Sequence, residues 1–318
     1  MIDTVKISLN NISQKDFNFS LLKYRGSGFY PSSSDAYLYY EYKNFSITIR
    51  GSNLTLLGSL PKFFLGHNIT SLPFSDIMNA VYRIEKELGL PLASGKIKRI
   101  DVGQTFKVNY PVNVYLSLYL FCPFYRVVEY PGQTKTFFNT SNSMVFYDKK
   151  HQFFKEHPDG YGFSRDFDFS EDCNYLRYEL QLRRNIQSIL GQNEILVYDL
   201  SNPQLLSRLI SLWYHKYQKI YTQHEVLDFE IKKGFKPLDF KDCLAAQGLI
   251  SLGEQNVLEM LQRKHKTHEL DTNSYYRCRD LITELTNVFS HTPGPLHEMN
   301  EKIEKHYQLM LNLINSKQ

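Results

Sequence analysis

Cysteine is scarce in this chain, with four among 318 residues. Cys122, Cys173, Cys243 and Cys278 show no Cys-x-x-Cys spacing, so the sequence indicates neither a zinc knuckle nor a disulfide framework. A reducing, cytosolic setting is the expectation. Long apolar runs are also missing. The most apolar stretch, Val112 to Phe124, is too short to span a bilayer, and Met1 to Lys6 lacks the apolar core of a signal sequence. No membrane role is therefore expected. Charge of one sign is nearly balanced, at a formal +4, so any nucleic-acid surface must come from local clustering rather than from bulk charge. No internal repeat or low-complexity segment is present. What the chain does hold is aromatic: 23 Tyr and 22 Phe within a 42% hydrophobic composition, enough to build a real core over about two domains.

Strand signals dominate the first 200 residues. Thr4–Leu9 reads as a strand, and Tyr37–Tyr42 with Phe45–Arg50 as a hairpin joined at Lys43-Asn44. Gly58 to Asn68 reads as a loop or irregular strand bracketed by glycines. Pro73–Gly89 has a helical stripe of Ile77, Val81, Ile84 and Leu88, with Ser75 or Asp76 as cap and Gly89 as stop. Lys96–Val108 follows as a strand and Val112–Cys122 as a helix. Phe124–Tyr130 and Thr134–Asn139 pair around Pro131-Gly132-Gln133. A polar, aromatic loop over Glu156–Cys173 leads to an alternating strand, Asn174–Arg184. Beyond about residue 200 the period becomes helical: Pro203–Tyr221, Asp239–Leu249, Glu254–Arg263, Asn273–Phe289 and, after a break at His291–Pro295, Leu296–Ile314. The expected fold is α+β, with an antiparallel-sheet domain over residues 1–200 and a mainly helical domain over 201–318. Basic clusters between Lys216 and Lys266 make the helical part the expected phosphate-binding surface.

The chemistry concentrates at Ser143-Met144-Val145-Phe146-Tyr147-Asp148-Lys149-Lys150. Read as a strand, it sets Val145, Tyr147 and Lys149 on one face. A phenol has an ordinary pKa of about 10 and becomes a nucleophile when a cation or metal ion favours its phenolate. Strand tyrosines are also common packing residues, and on these residues alone both roles stay open. Two other strands offer polar groups on an alternating face: Arg99 with Asp101, and Arg177 with Glu179 and Gln181. In an antiparallel sheet whose other face packs on helices, these would meet. Paired carboxylates suit Mg²⁺ or Mn²⁺, and equally suit salt bridges to Arg99 and Arg177. Tyr217 with Tyr221, and Tyr115 with Tyr119, have the helical spacing of a two-tyrosine site.

Taken in order, these pieces carry a resemblance. Gly51-Ser52, Ser59-Leu60-Pro61-Lys62-Phe63, Gly66-His67-Asn68, Arg99-Ile100-Asp101, Phe146-Tyr147-Asp148-Lys149 and Leu176-Arg177-Tyr178-Glu179-Leu180 resemble the filamentous-phage gene II and related phage and plasmid replication initiators. The opening Met1-Ile2-Asp3 is similar to that family as well. The resemblance covers about residues 1–200 and implies an HUH-class rolling-circle endonuclease on an antiparallel core. It nicks one DNA strand through a 5′-phosphotyrosine and later rejoins it. By position it implies Tyr147 as nucleophile, Lys149 as its support, and Asp101, Glu179, His67 and Gln181 as ligands of Mg²⁺ or Mn²⁺. Single-stranded and origin duplex DNA, with a host helicase and polymerase in a bacterial cytoplasm, are the implied partners and setting. This chain has no His-x-His pair, a departure that bears on the ligand set. A non-catalytic origin-binding protein or repressor, and a mobilisation relaxase or transposase, are the competing functional classes.

Overall fold

The computed structural model describes residues 1–13, 17–29, 36–156, 173–222, 254–288 and 294–316, with scattered positions between 236 and 252. The loop expected over Glu156–Cys173, part of the helix expected over Asp239–Leu249 and most of the break at His291–Pro295 lie outside those residues. The strands are β1 (Ile2–Leu9), β2 (Lys23–Phe29), β3 (Ala36–Tyr42), β4 (Phe45–Arg50), β5 (Asn53–Ser59), β6 (Lys96–Val108), β7 (Tyr119–Phe121), β8 (Arg126–Tyr130), β9 (Thr134–Phe138), β10 (Asn142–Asp148), β11 (Asn174–Leu182) and β12 (Tyr221–Thr222). Ten of them form one antiparallel sheet in the order β2-β3-β4-β5-β1-β6-β11-β10-β9-β8, and β7 pairs separately with β12. The fold is therefore α+β. Among the described residues no helix is long and apolar enough to cross a membrane.

Alternation divides the central strands cleanly. On β11, Leu176, Tyr178, Leu180 and Leu182 are fully buried, and the register sets Leu180 opposite Val102 of β6 and Phe146 of β10 opposite Tyr178. Helix α6 (Pro203–Tyr217), which follows the short α5 (Ile186–Leu190), lies against this face, with the Tyr178 hydroxyl donating to the Trp213 carbonyl at 3.0 Å. Phe146 stacks on Tyr178 at 4.6 Å between ring centres and lies 4.4 Å from the Tyr119 ring. The abundance of aromatics thus serves a core in which flat rings fill the space between sheet and helix. The opposite face, carrying Tyr147 and Glu179, is left for polar groups.

Contacts divide the described chain into two compact units. One joins Met1–Thr222 to Met299–Gln318, and the other is Gln223–Glu298. The boundary expected near residue 200 falls inside the first unit, because α6 covers the sheet and the last helix (Pro295–Asn315) packs on α6 from Met299 onward. There Tyr307 stacks on Tyr214 at 4.1 Å, and the Tyr217 hydroxyl donates to Asn300 at 2.7 Å. The second unit contains helices at Glu254–Lys266 and Thr272–Val288, which pack on one another.

Local corrections have local causes. Gly58 to Asn68 is not a loop: β5 ends at Ser59, whose hydroxyl accepts from the Lys62 amide, and helix α1 (Leu60–Leu65) runs to Gly66 at φ 83°. A serine cap, a proline in the first turn and a left-handed glycine are start and stop signals that outweigh the bracketing glycines. Helix α2 spans Phe74–Leu88, with Pro73 rather than Ser75 or Asp76 at its N-cap position. Val112–Cys122 splits into α3 (Val112–Leu118) and β7. Pro203–Tyr221 likewise ends at Tyr217, and Tyr221 enters β12 opposite Phe121, with the two rings stacked at 4.4 Å. Neither tyrosine pair shares a helix face. The Phe146 ring, fully buried among Tyr119, Phe137 and Tyr178, predicts that Phe146→Ala lowers unfolding stability by about 3–5 kcal/mol in denaturant titrations; a loss under about 1 kcal/mol would contradict this packing.

Candidate active site on the polar face of the sheet

The polar face is mostly buried. Asp101, Arg177 and Lys149 are each 2% exposed and Glu179 7%, so the groups expected on a solvated face must instead satisfy one another. The pairing register explains how they meet: Arg177, Glu179 and Gln181 of β11 lie opposite Thr105, Gly103 and Asp101 of β6, and Tyr147 of β10 lies opposite Arg177. Gly103 is required by this crowding. A Cβ there would stand 2.8 Å from Glu179 Cγ and 3.0 Å from Arg177 Nη2, so only glycine lets both side chains cross β6.

Arg177 holds the centre. Its Nε donates to Glu179 Oε1 at 2.6 Å, Nη2 to Asp3 Oδ2 at 2.5 Å, and Nη1 to the Asn68 carbonyl at 2.8 Å and to Thr105 Oγ1 at 3.0 Å. Asp3 also accepts from Ser59 Oγ, and from Asn68 Nδ2 at 3.0 Å. Burial opposes the charge on Asp3, but Arg177, Ser59, Lys149 and Asn68 outweigh it and hold the carboxyl below its ordinary value. Lys149 is the first residue of helix α4 (Lys149–Glu156), not the strand residue expected. Its ammonium nevertheless sits 5.7 Å from the Tyr147 ring centre and donates to Asn68 Oδ1 at 2.8 Å and Gln152 Oε1 at 2.9 Å. Burial, then the Arg177 charge, pushes Lys149 down to about 7.

The Tyr147 hydroxyl donates to Glu179 Oε1 at 2.8 Å. Burial and the neighbouring Glu179 push the phenol well above its ordinary value, so the resting site holds a protonated tyrosine with a carboxylate already at its proton. Gln181 Nε2 donates to Glu179 Oε2 at 3.2 Å. Asp101 takes both its hydrogen bonds from Arg99, at 2.8 and 2.6 Å. Burial raises it to about 7 despite Arg99, with Glu179 and Asp3 adding to the rise. Asp3, Arg99, Asp101, Tyr147, Glu179 and Gln181 all line one cleft of about 320 Å³.

The sequence-predicted residues Tyr147, Asp101, Glu179 and Gln181 are thus brought together. Lys149 stands just behind them, and His67, half-buried in the turn after α1, is not among the cleft-lining residues. Among the described residues no three His, Cys, Asp or Glu side chains close on a point suited to a metal ion. Asp3, Asp101, Glu179 and the Gln181 carboxamide still give the cleft wall oxygen donors of the kind Mg²⁺ and Mn²⁺ prefer. The proton affinity of Asp101 is raised mainly by its burial, with Glu179 and Asp3 adding to the rise; carboxylate oxygens of this kind are the donor type a divalent cation takes.

Asp3 and the Arg177 clamp were not identified as site residues from the sequence. The signal for Asp3 was an acid in the otherwise apolar series Asp3, Val5, Ile7, Leu9. The β1–β6 pairing is irregular between Ile2 and Val5, and both Asp3 and Thr4 reach the cleft wall. A strict two-residue period hides that turn of the chain. Searches against protein-family models, curated proteins and solved structures found no match for the chain.

Asp101 keeps its proton up to about pH 7 when folded but releases it near pH 4 when unfolded. The folded state therefore binds more protons across that window, and this contribution to stability is full below about pH 4 and lost as pH rises through about 7. Urea midpoints measured from pH 4.5 to 7 should fall more steeply for the native chain than for Asp101→Asn. Parallel profiles would contradict the assignment.

Proposed function

We propose that this protein is a DNA-nicking and -joining enzyme of the rolling-circle replication initiator type, with Tyr147 as the nucleophile. The observation that carries the proposal is the Tyr147 hydroxyl, held 2.8 Å from Glu179 Oε1 in a cleft shared with Asp101 and Asp3. That distance is within reach for a general base. The order of motifs along residues 1–200, similar to the gene II-type initiators, supports the same chemistry, and on this view the sheet is the nicking core of the HUH class.

The step balances simply. Tyr147 Oη attacks a phosphodiester phosphorus as Glu179 takes the phenolic proton. The P–O3′ bond breaks, the 3′ oxygen leaves as a hydroxyl with a proton from water, and the 5′ phosphate remains on Tyr147. Rejoining reverses it: a 3′ hydroxyl attacks the phosphotyrosine and the phenol recovers its proton from Glu179. Lys149 acts through Tyr147: in its protonated form, held up to about pH 7, its charge favours the developing phenolate. Arg177 holds Glu179 in place. Arg99 and Lys62, cations on the cleft wall with side chains 25% and 29% exposed, face the phosphate. Asp101 and Glu179 would hold Mg²⁺ or Mn²⁺, which when bound supplies further charge to polarise the phosphodiester; Gln181, whose amide nitrogen faces Glu179, orients that carboxylate. Origin DNA is then the substrate, host helicase and polymerase are the working partners, and a bacterial cytoplasm is the setting.

A binding protein that contacts phosphate through Arg99, Arg177 and Lys149 has less support. Arg177 and Lys149 are buried and their donors are engaged within the protein. On supercoiled origin DNA with Mg²⁺, the native chain should yield open circles. Tyr147→Phe should yield none while still binding DNA, and Glu179→Gln should nick about 10²–10⁴-fold more slowly. Nicking by a folded Tyr147→Phe at the native rate would overturn the proposal.

A further inference from the structure

Past Arg99, the polar face opens into a second cleft of about 660 Å³. Its walls carry Lys6 from β1, Lys98 and Arg99 from β6, and Arg183 and Arg184 from just beyond β11. Among the described residues no Asp or Glu lines it. Lys6, Lys98, Arg183 and Arg184 are exposed, and among the described residues none of the four forms an ion pair. Elsewhere on the same unit some cations find acids, Arg25 with Glu41, Lys43 with Glu87 and Lys96 with Glu194, and others stand singly; here four lie on one cleft. The cleft concentrates unneutralised positive charge between walls of lower dielectric, a shape that focuses its field on an anion.

The lining also limits what the anion is. No aromatic side chain is among the described residues of the cleft wall, so bases have nothing to stack on, and stacking is the usual source of base-directed affinity for single strands. Cations without rings recognise repeated phosphates. Arg99 lines both this cleft and the Tyr147 cleft, and Arg183 donates to Gln181 Oε1 on the wall between them. The two spaces are therefore consecutive along one face of the sheet.

We infer that this cleft carries the sugar–phosphate backbone of the single DNA strand on one side of the bond cut at Tyr147, gripping it without reading its sequence. The inference rests on the nicking function proposed above and specifies the path its substrate takes. The test uses the full-length chain, fluorescent single-stranded oligonucleotides of two unrelated sequences, one of which spans the origin nick site and serves for adduct formation, and the double variant Lys6→Gln/Arg184→Gln, whose substitutions are exposed and outside the Tyr147 cleft. Anisotropy titrations over a range of NaCl concentrations should show weaker binding of both oligonucleotides by the same factor. The slope of log K against log salt should shrink by about 0.7 for each phosphate left without its cation, or about 1.4 for the pair. At saturating oligonucleotide the variant should still form the covalent tyrosine adduct. Unchanged affinity and slope in the variant, or a loss confined to one sequence, would overturn the inference while leaving nicking intact. Absence of any adduct in the native chain, with the shallower salt slope still seen in the variant, would remove the nicking function and retain the cleft as a backbone-binding surface.

Discussion

The polar face is organised around the buried guanidinium of Arg177. It bridges Asp3 of β1 and Glu179 of β11, and its remaining bonds go to Thr105 of β6 and to the Asn68 carbonyl after α1. Isolated, such a charge would be costly to bury; with two carboxylates and two further oxygens around it, removal of one partner is what becomes expensive, at about 3–5 kcal/mol. The position of Glu179 follows from this clamp, and the orientation of the Tyr147 hydroxyl follows from Glu179. Gly103 is the steric condition for the whole arrangement, since any side chain there would displace the guanidinium or the carboxylate.

The other half of the constraint is the aromatic face. Tyr147 and Phe146 are adjacent in β10, and strand alternation sends one hydroxyl toward the cleft and one ring into the stack with Tyr178 and Tyr119. Packing under α6 fixes β10 and β11 in register, so the polar side of the sheet is positioned by the aromatic side. Lys149 shows the same economy. The strand stops at Asp148 and α4 begins, but the helix start still places the ammonium near the Tyr147 ring.

Much of this was legible in the sequence because the central strands alternate strictly. Leu176, Tyr178, Leu180 and Leu182 marked the core face of β11, and alternation put Asp101, Tyr147 and Glu179 each on the polar face of its own strand, which the pairing of β6, β11 and β10 then brings together. Two things hid the rest. Arg177 reads as a surface salt-bridge partner unless one knows that Asn68 and α1 close over it, a long-range contact that no local pattern records. The change of face near Asp3 breaks the period on which the reading depends. The tyrosine pairs, read mainly as core or stacking residues, show the complementary limit: Tyr217 and Tyr221 have helical spacing, but the chain leaves the helix between them to pair Tyr221 with Phe121. The basic clusters read in the helices beyond residue 200 are visible in the sequence, whereas Lys6, Lys98 and the pair Arg183-Arg184 are widely separated along the chain and are collected into one cleft only by the pairing of β1, β6 and β11.

The central claim is that Tyr147, and no other of the 23 tyrosines, forms the bond to DNA. The most direct test is to trap the covalent complex with a single-stranded origin oligonucleotide and Mg²⁺ or Mn²⁺, digest protein and DNA, and identify by mass spectrometry the peptide that retains a 5′-phosphonucleotide. The modification should fall on Tyr147, within the sequence Ser143-Met144-Val145-Phe146-Tyr147-Asp148. Its appearance on Tyr217, Tyr221 or any other residue, or a nicked product with no protein attached, would contradict the assignment of the nucleophile.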